Sequence, residues 1–325
     1  MIDAILNSGR GRSGRRSTGA GRRSGRGNSP GVASPGLDAR SVSGGRAGVA
    51  IESQAVLDRL MAVEALRFAS ATRPIVPPPV PVASAPVIAQ EWRRRKAGIG
   101  LWERGKRREL RMRIGIEVRA EVDRRFDEAC RDVRRCQDEA DRWWNALNDG
   151  DPVVLAAVLS NAFAYARLPV RVAATDGRSA VLILTMPGLD VLPKKIPHVT
   201  PTGRLASKAW PATEVNAAYQ RLLGGYMLAT VRQAWAVGPP LRQLRIIGVR
   251  YQTAGAQVYF DVSVDRYAMD WDSNTTGAAL LRTAPGGLKT SGTAGRVRPW
   301  PKDAIPEETL AMIRRSGSIE LPAAQ

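Results

Sequence analysis

The residues from Gln257 to Asp265 read QVYFDVSVD, and alternation puts Tyr259, Asp261, Ser263 and Asp265 on one face of a strand, with Val258, Phe260, Val262 and Val264 on the other. Acids displayed on strands are what metal-dependent nucleases use, with a lysine close by to orient the nucleophile. Asp261 and Asp265 are therefore the candidate catalytic pair. Four strand residues separate them by about 13 Å, too far to share one ion directly. The neighbouring cations are arginines, Arg245, Arg250 and Arg266. Cross-strand ion pairs on a wet sheet face account for the same residues without chemistry.

A second chemistry is electrostatic. The chain has 42 Arg, only 7 Lys and a net charge of +19. That charge divides as +7 over residues 1–50, 0 over 51–90, +5 over 91–147, +1 over 148–200 and +6 over 201–325. Arg10, Arg12, Arg15, Arg16, Arg22, Arg23 and Arg26 alternate with Gly and Ser, and no acid falls between Asp3 and Asp38. Such a segment buries too little apolar surface to offset its chain entropy, so a disordered tail is expected over 1–50. A second basic block holds Arg93, Arg94, Arg95, Lys96, Arg107 and Arg108, with Trp92 and Trp102 inside it. Arginine clusters bind polyanions by releasing condensed counterions, and an aromatic among them can stack on a base. Nucleic acid is the first candidate partner and an anionic lipid surface the second. The tail also has plainer origins: GC-rich coding writes Arg, Gly and Ala by default, and a start at Met61 would place it outside the protein.

The remaining constellations fail on context. Gly100, Gly105 and Lys106 have phosphate-loop spacing, but Arg107 stands where Ser or Thr is required. Gly9, Gly11 and Gly14 match a dinucleotide pattern inside the tail, with no strand before them. His198 is the single histidine, read as a loop residue, and offers neither a metal cluster nor a triad. No metal site and no cofactor is expected. Cys130 and Cys136, six apart on a helix, point to different sides and cannot pair within it.

The elements that position these groups follow from pattern. Residues 51–70 read as a short amphipathic helix, and six prolines between Pro74 and Pro86 read as a semi-rigid linker over 71–90. A long charged helix is expected over 91–147. Within it Phe126, Ala129, Val133, Cys136, Ala140, Trp143 and Leu147 make a heptad-like seam built for packing, either against a second copy in a coiled-coil homodimer or against the chain's own domain. Glu121 with Arg125, Asp127 with Arg131 and Asp138 with Arg142 stand at i,i+4. Asp151 and Pro152 mark the next helix start. Two hairpins, about Asp176–Ser179 and Ala254–Ala256, flank a helix over 213–236. The expected fold is α+β over 148–272, a four-stranded antiparallel sheet covered on one face by two helices. The rest, 273–325, is expected to be mostly irregular, with one short helix over 307–315.

Three stretches carry a resemblance: Trp143, Trp144, Leu147, Gly150, Asp151 and Pro152; then Pro197, Thr200, Pro201, Gly203, Leu205 and Lys208; then, most specifically, Asn216, Tyr219, Leu222, Leu223, Gly225, Leu228, Arg232, Val237 and Pro239. Over roughly 115–270 the chain resembles uncharacterised actinobacterial proteins of the Streptomyces type, in which a charged helix precedes a small α+β domain. The resemblance implies a true domain and a high-GC bacterial source. It carries over no catalytic residue.

No window reaches about 18 apolar residues, so no integral membrane contact is expected. The opening residues are not a signal-peptide core, which points to the cytoplasm. Together these features point to a non-enzymatic binding protein, with a metal-dependent nuclease and a helix-dimerised structural protein as the alternatives.

Overall fold

The computed structural model describes residues 46–100, 102–199, 201, 205–253 and 255–316. Arg10 to Arg26 lie outside these residues, as do residues 1–45 of the tail expected to be disordered over 1–50; its last five residues, 46–50, are helical instead. Two compact units emerge, residues 72–146 and residues 147–316 together with 46–71. Among the described residues there are seven α-helices and eight strands.

The first unit begins with an extended, proline-rich run that lies along a helix. Helix α1 (Arg46–Met61) belongs to the second unit; helix α2 (Ser84–Arg95) follows the prolines and tolerates Pro86 in its first turn. Helix α3 spans Arg104–Asp149. Thus the single helix expected from 91 is two helices. The chain makes a 3-10 turn at Lys96–Gly98 between them, and Gly98 and Gly100 disfavour helix there. The extended run is tied to α3 by side chains. Arg73 forks onto both carboxylate oxygens of Asp141, Gln137 Nε2 donates to the Pro74 carbonyl at 3.1 Å, and Val76 N–H donates to Gln137 Oε1 at 2.8 Å. The Phe126–Leu147 seam is half-buried to buried within this one chain. Of the expected i,i+4 pairs, Glu121–Arg125 forms at 2.7 Å, while Arg124 takes both Glu121 and Glu128.

The second unit is built on one sheet. Asp151 caps helix α4 (Pro152–Tyr165), accepting from Val153 and Val154 N–H at 2.9 Å each. Strands β1 (Val170–Thr175) and β2 (Ser179–Thr185) form the first hairpin. Next come a ribbon of β3 (Lys195–Val199) and β4 (Leu205–Ala209), then helix α5 (Ala212–Val237), then the hairpin β5 (Gln243–Gln252) and β6 (Gly255–Asp265). The segment around His198, read from the sequence as a loop, is thus a ribbon, and α1 packs on it. His198 is an exposed strand residue there.

Sheet order is β1-β2-β5-β6, and β2 pairs with β5 in parallel, Ser179 opposite Gln243 through Thr185 opposite Val249. The expectation of a purely antiparallel sheet is therefore corrected to a mixed one. Short turns force antiparallel pairing only within each hairpin. Between the hairpins α5 is a crossover, which returns the chain to the end where β2 began and lets β5 run alongside it.

Both faces of the sheet are covered. α4 packs on β1 and on α5. On the opposite face Ile183, Ile247, Val249 and Val258 form a cluster with Ile313, joined by Trp300, Ile305 and Met312. The C-terminal region thus reaches two places: helix α6 (Thr276–Thr283) and the ribbon of β7 (Lys289–Ser291) and β8 (Arg296–Arg298) pack on α5, while helix α7 (Glu307–Ser316) brings Ile313 to this cluster. A bulge alters the expected alternation. Gly248 pairs with Phe260 and Val249 with Val258, so Tyr259 falls between ladder pairs and Val258 moves to the Asp261 side.

Candidate functional site

The Asp261 constellation is assembled, but as an ion-pair network. Asp261 Oδ1 and Oδ2 each accept from Arg245 at 2.9 Å, and Thr309 of α7 donates to Oδ2 at 2.7 Å. Arg245 also reaches Glu308 at 2.6 Å. The hydrogen-bonded carboxylate raises the Arg245 guanidinium further above its ordinary value. The Asp261 side chain is only 8% exposed, so this face is not the wet one expected; α7 closes over it. Asp265 points its carboxylate at the Tyr267 N–H, 2.8 Å away, in the turn after β6. Of the arginines expected beside these acids only Arg245 pairs with one. Arg250 lies 3.5 Å from Asp190, and Arg266 donates to the Trp235, Gly238, Pro239 and Leu241 carbonyls at the end of α5. Of these the Trp235 carbonyl is in the last turn of α5, where carbonyls lack a partner further along the helix, and a cation there also opposes the helix dipole. Among the described residues no group of three or more His, Cys, Asp or Glu could hold a metal ion.

The second basic block is at the turn joining α2 to α3. α2 lies against α3 through Arg95–Glu117 at 2.7 Å and the Arg111 guanidinium 5.9 Å from the Trp92 ring centroid. Arg107 closes the turn by donating to the Ile99 carbonyl at 2.8 Å. The structure therefore splits the candidate residues. Arg95, bound to Glu91 and Glu117, and Arg107, bound to the turn backbone, are spent on architecture. Arg93, Arg94, Lys96 and Arg108 are exposed, and of these only Arg94 meets an acid, Glu91 at 3.0 Å. Arg104 and Arg113, exposed on α3, add to the same region. Trp102 stands in this turn and is 95% exposed. Gly105 and Lys106 fall in the first turn of α3, with Lys106 held by Glu103 at 2.6 Å, so the loop-like spacing there frames no phosphate cradle. Arg10 to Arg26, the other candidate contacts, lie outside the described residues.

What sequence reasoning missed is a third gathering of cations. Arg250, Arg296 and Arg298 line a pocket of about 200 Å³ with Tyr219, Tyr259 and Asn216. Its residues come from α5, β5, β6 and β8, too far apart in sequence for spacing to bring them together. Among the described residues no helix is long and apolar enough to cross a membrane. Comparison with protein-family models, curated proteins and solved structures finds no match.

Proposed function

We propose that this chain binds nucleic acid through the turn between α2 and α3, with Arg93, Arg94, Lys96, Arg104, Arg108 and Arg113 on the phosphates and Trp102 stacked on a base. One observation carries the reading: an indole that is 95% exposed, in a segment where five of those six cations meet no described acid. Leaving a large aromatic in water forfeits its burial energy, and a base restores that contact without requiring a fixed sequence. The tail arginines Arg10 to Arg26 would add sequence-independent affinity.

Fluorescence anisotropy with a labelled single-stranded oligonucleotide tests this. Binding should weaken steeply with salt, and Trp102→Ala should cost about 1–3 kcal/mol without changing thermal stability. A flat salt response, equal affinity for the Trp102→Ala protein, or binding only to vesicles of anionic lipid would overturn the reading.

A further inference from the structure

The pocket around Arg250 is separate in place and composition from the α2–α3 turn, and it is built. The bulge in β6 takes Tyr259 out of the ladder and sets it beside Tyr219, Arg250 and Asn216. The β7–β8 turn is pinned to α5, Asn216 Nδ2 donating to the Ala294 carbonyl at 2.9 Å and Gln220 Nε2 to the Gly295 carbonyl at 2.8 Å. This anchors the strand that carries Arg296 and Arg298. Tyr219 O–H donates to the Pro187 carbonyl at 2.8 Å, fixing the ring at the pocket wall.

Charge in this pocket is unbalanced. Arg250 meets one acid, Asp190, at 3.5 Å, and that carboxylate is 82% exposed. Arg298 donates to Ser291 Oγ at 2.9 Å, and the Arg296 guanidinium has no hydrogen bond or ion pair with a described residue. Lys289, opposite Arg298 on β7, lies 5.1 Å from the Trp300 ring centroid. Burial pushes the Tyr219 phenol up to about 12, so it keeps its proton and contributes no negative charge.

We infer that this pocket binds a phosphate group, either free or as a small phosphate monoester. Guanidinium forks approaching from different strands suit a tetrahedral dianion with several acceptor oxygens. At about 200 Å³ the pocket is smaller than the roughly 300 Å³ that drug-sized ligands need, which limits the occupant to the phosphate and a short stub.

Isothermal titration calorimetry on the full chain decides it, using inorganic phosphate, glycerol 3-phosphate and sodium chloride of matched ionic strength. Saturable 1:1 binding of phosphate or its ester, with none for chloride, is expected. Tighter binding of the ester identifies a monoester site, and equal or weaker binding a site for free phosphate. Arg296→Gln, at an exposed position that should not disturb folding, should weaken binding about tenfold, the loss of one charge-assisted contact. A Trp102→Ala, Arg108→Gln protein should bind phosphate as the wild type does, which separates this site from the nucleic-acid reading. Absence of saturable heat with both phosphates, or unchanged affinity in Arg296→Gln, would overturn the inference.

Discussion

Asp261 shows how one residue changes meaning between sequence and structure. As text it is an acid on a strand face; in the fold it is clamped by Arg245 and Thr309 beneath α7. Replacing it by Ala leaves the half-buried Arg245 with the exposed Glu308 and the Thr309 hydroxyl. Loss of one partner of a buried pair costs about 3–5 kcal/mol, and the partial exposure of Arg245 and its retained contact bring the expected loss to about 2–3 kcal/mol. Denaturant unfolding of Asp261→Ala measures it; a loss under about 0.5 kcal/mol would show the clamp to be ornamental. Asp141 makes a pH-dependent counterpart. Hydrogen bonds from Arg73, then Gln137, hold its carboxyl below the ordinary 3.8. A depressed folded value stabilises above the ordinary one and is lost as pH falls through the folded value. The Val76 amide, which reports the docked proline run, should stay protected near neutral pH and lose that protection, relative to its intrinsic exchange rate, as pH falls through the depressed value of the Asp141 carboxyl, while Arg73→Gln should expose it already at neutral pH.

At the scale of elements, glycines mark where helices touch. Gly224 and Gly225 look in the sequence like flaws in α5, or like an allowance for close approach to the sheet. The structure assigns the approach elsewhere: a Cβ on Gly224 would lie 2.4 Å from the Ala278 nitrogen in α6, and one on Gly225 would meet Glu64 at 3.2 Å. Gly105 and Gly115 in α3 have nothing within 4 Å. Changing Gly to Ala inside a helix gains about 1 kcal/mol where there is room. Gly105→Ala and Gly115→Ala should therefore raise the melting temperature, and Gly224→Ala should lower it despite the same propensity gain. Thermal unfolding of the three variants reads the contrast, and a Gly224→Ala protein more stable than wild type would contradict the close packing of α5 on α6. Buried arginines work at this scale too. Arg232 is 7% exposed and donates to the Glu64, Trp271 and Asp272 carbonyls, fastening the turn after α1 and the loop before α6 to the C-terminal third of α5.

At the scale of the whole molecule, the structure sorts the cations of the described residues into those that build and those that face outward. Arg95, Arg107, Arg232, Arg245 and Arg266 are spent on carboxylates and backbone carbonyls. Among the described residues Lys96, Arg108 and Arg113 meet none, and Arg93 gives one N–H to the Ala89 carbonyl at 3.3 Å but meets no acid. In the anisotropy titrations, each outward arginine replaced at the α2–α3 turn should lower the slope of log K against log salt by about 1. Replacing Arg232 should leave that slope unchanged. Total charge alone cannot make this distinction, because counterion release counts only the phosphates that are neutralised.

Local rules read from the sequence hold where neighbours in the chain decide the outcome. The Asp151–Pro152 helix start, both hairpins, α5 between them and the short helix near Glu307 are of this kind, since caps, turns and apolar periodicity act over a few residues. The parallel β2–β5 pairing, the bulge at Tyr259, the layer laid by α7 over Asp261 and the convergence of Arg250, Arg296 and Arg298 follow no local rule. Each depends on which distant segment arrives alongside, and that is decided by packing the second unit around its core rather than by the spacing of any motif.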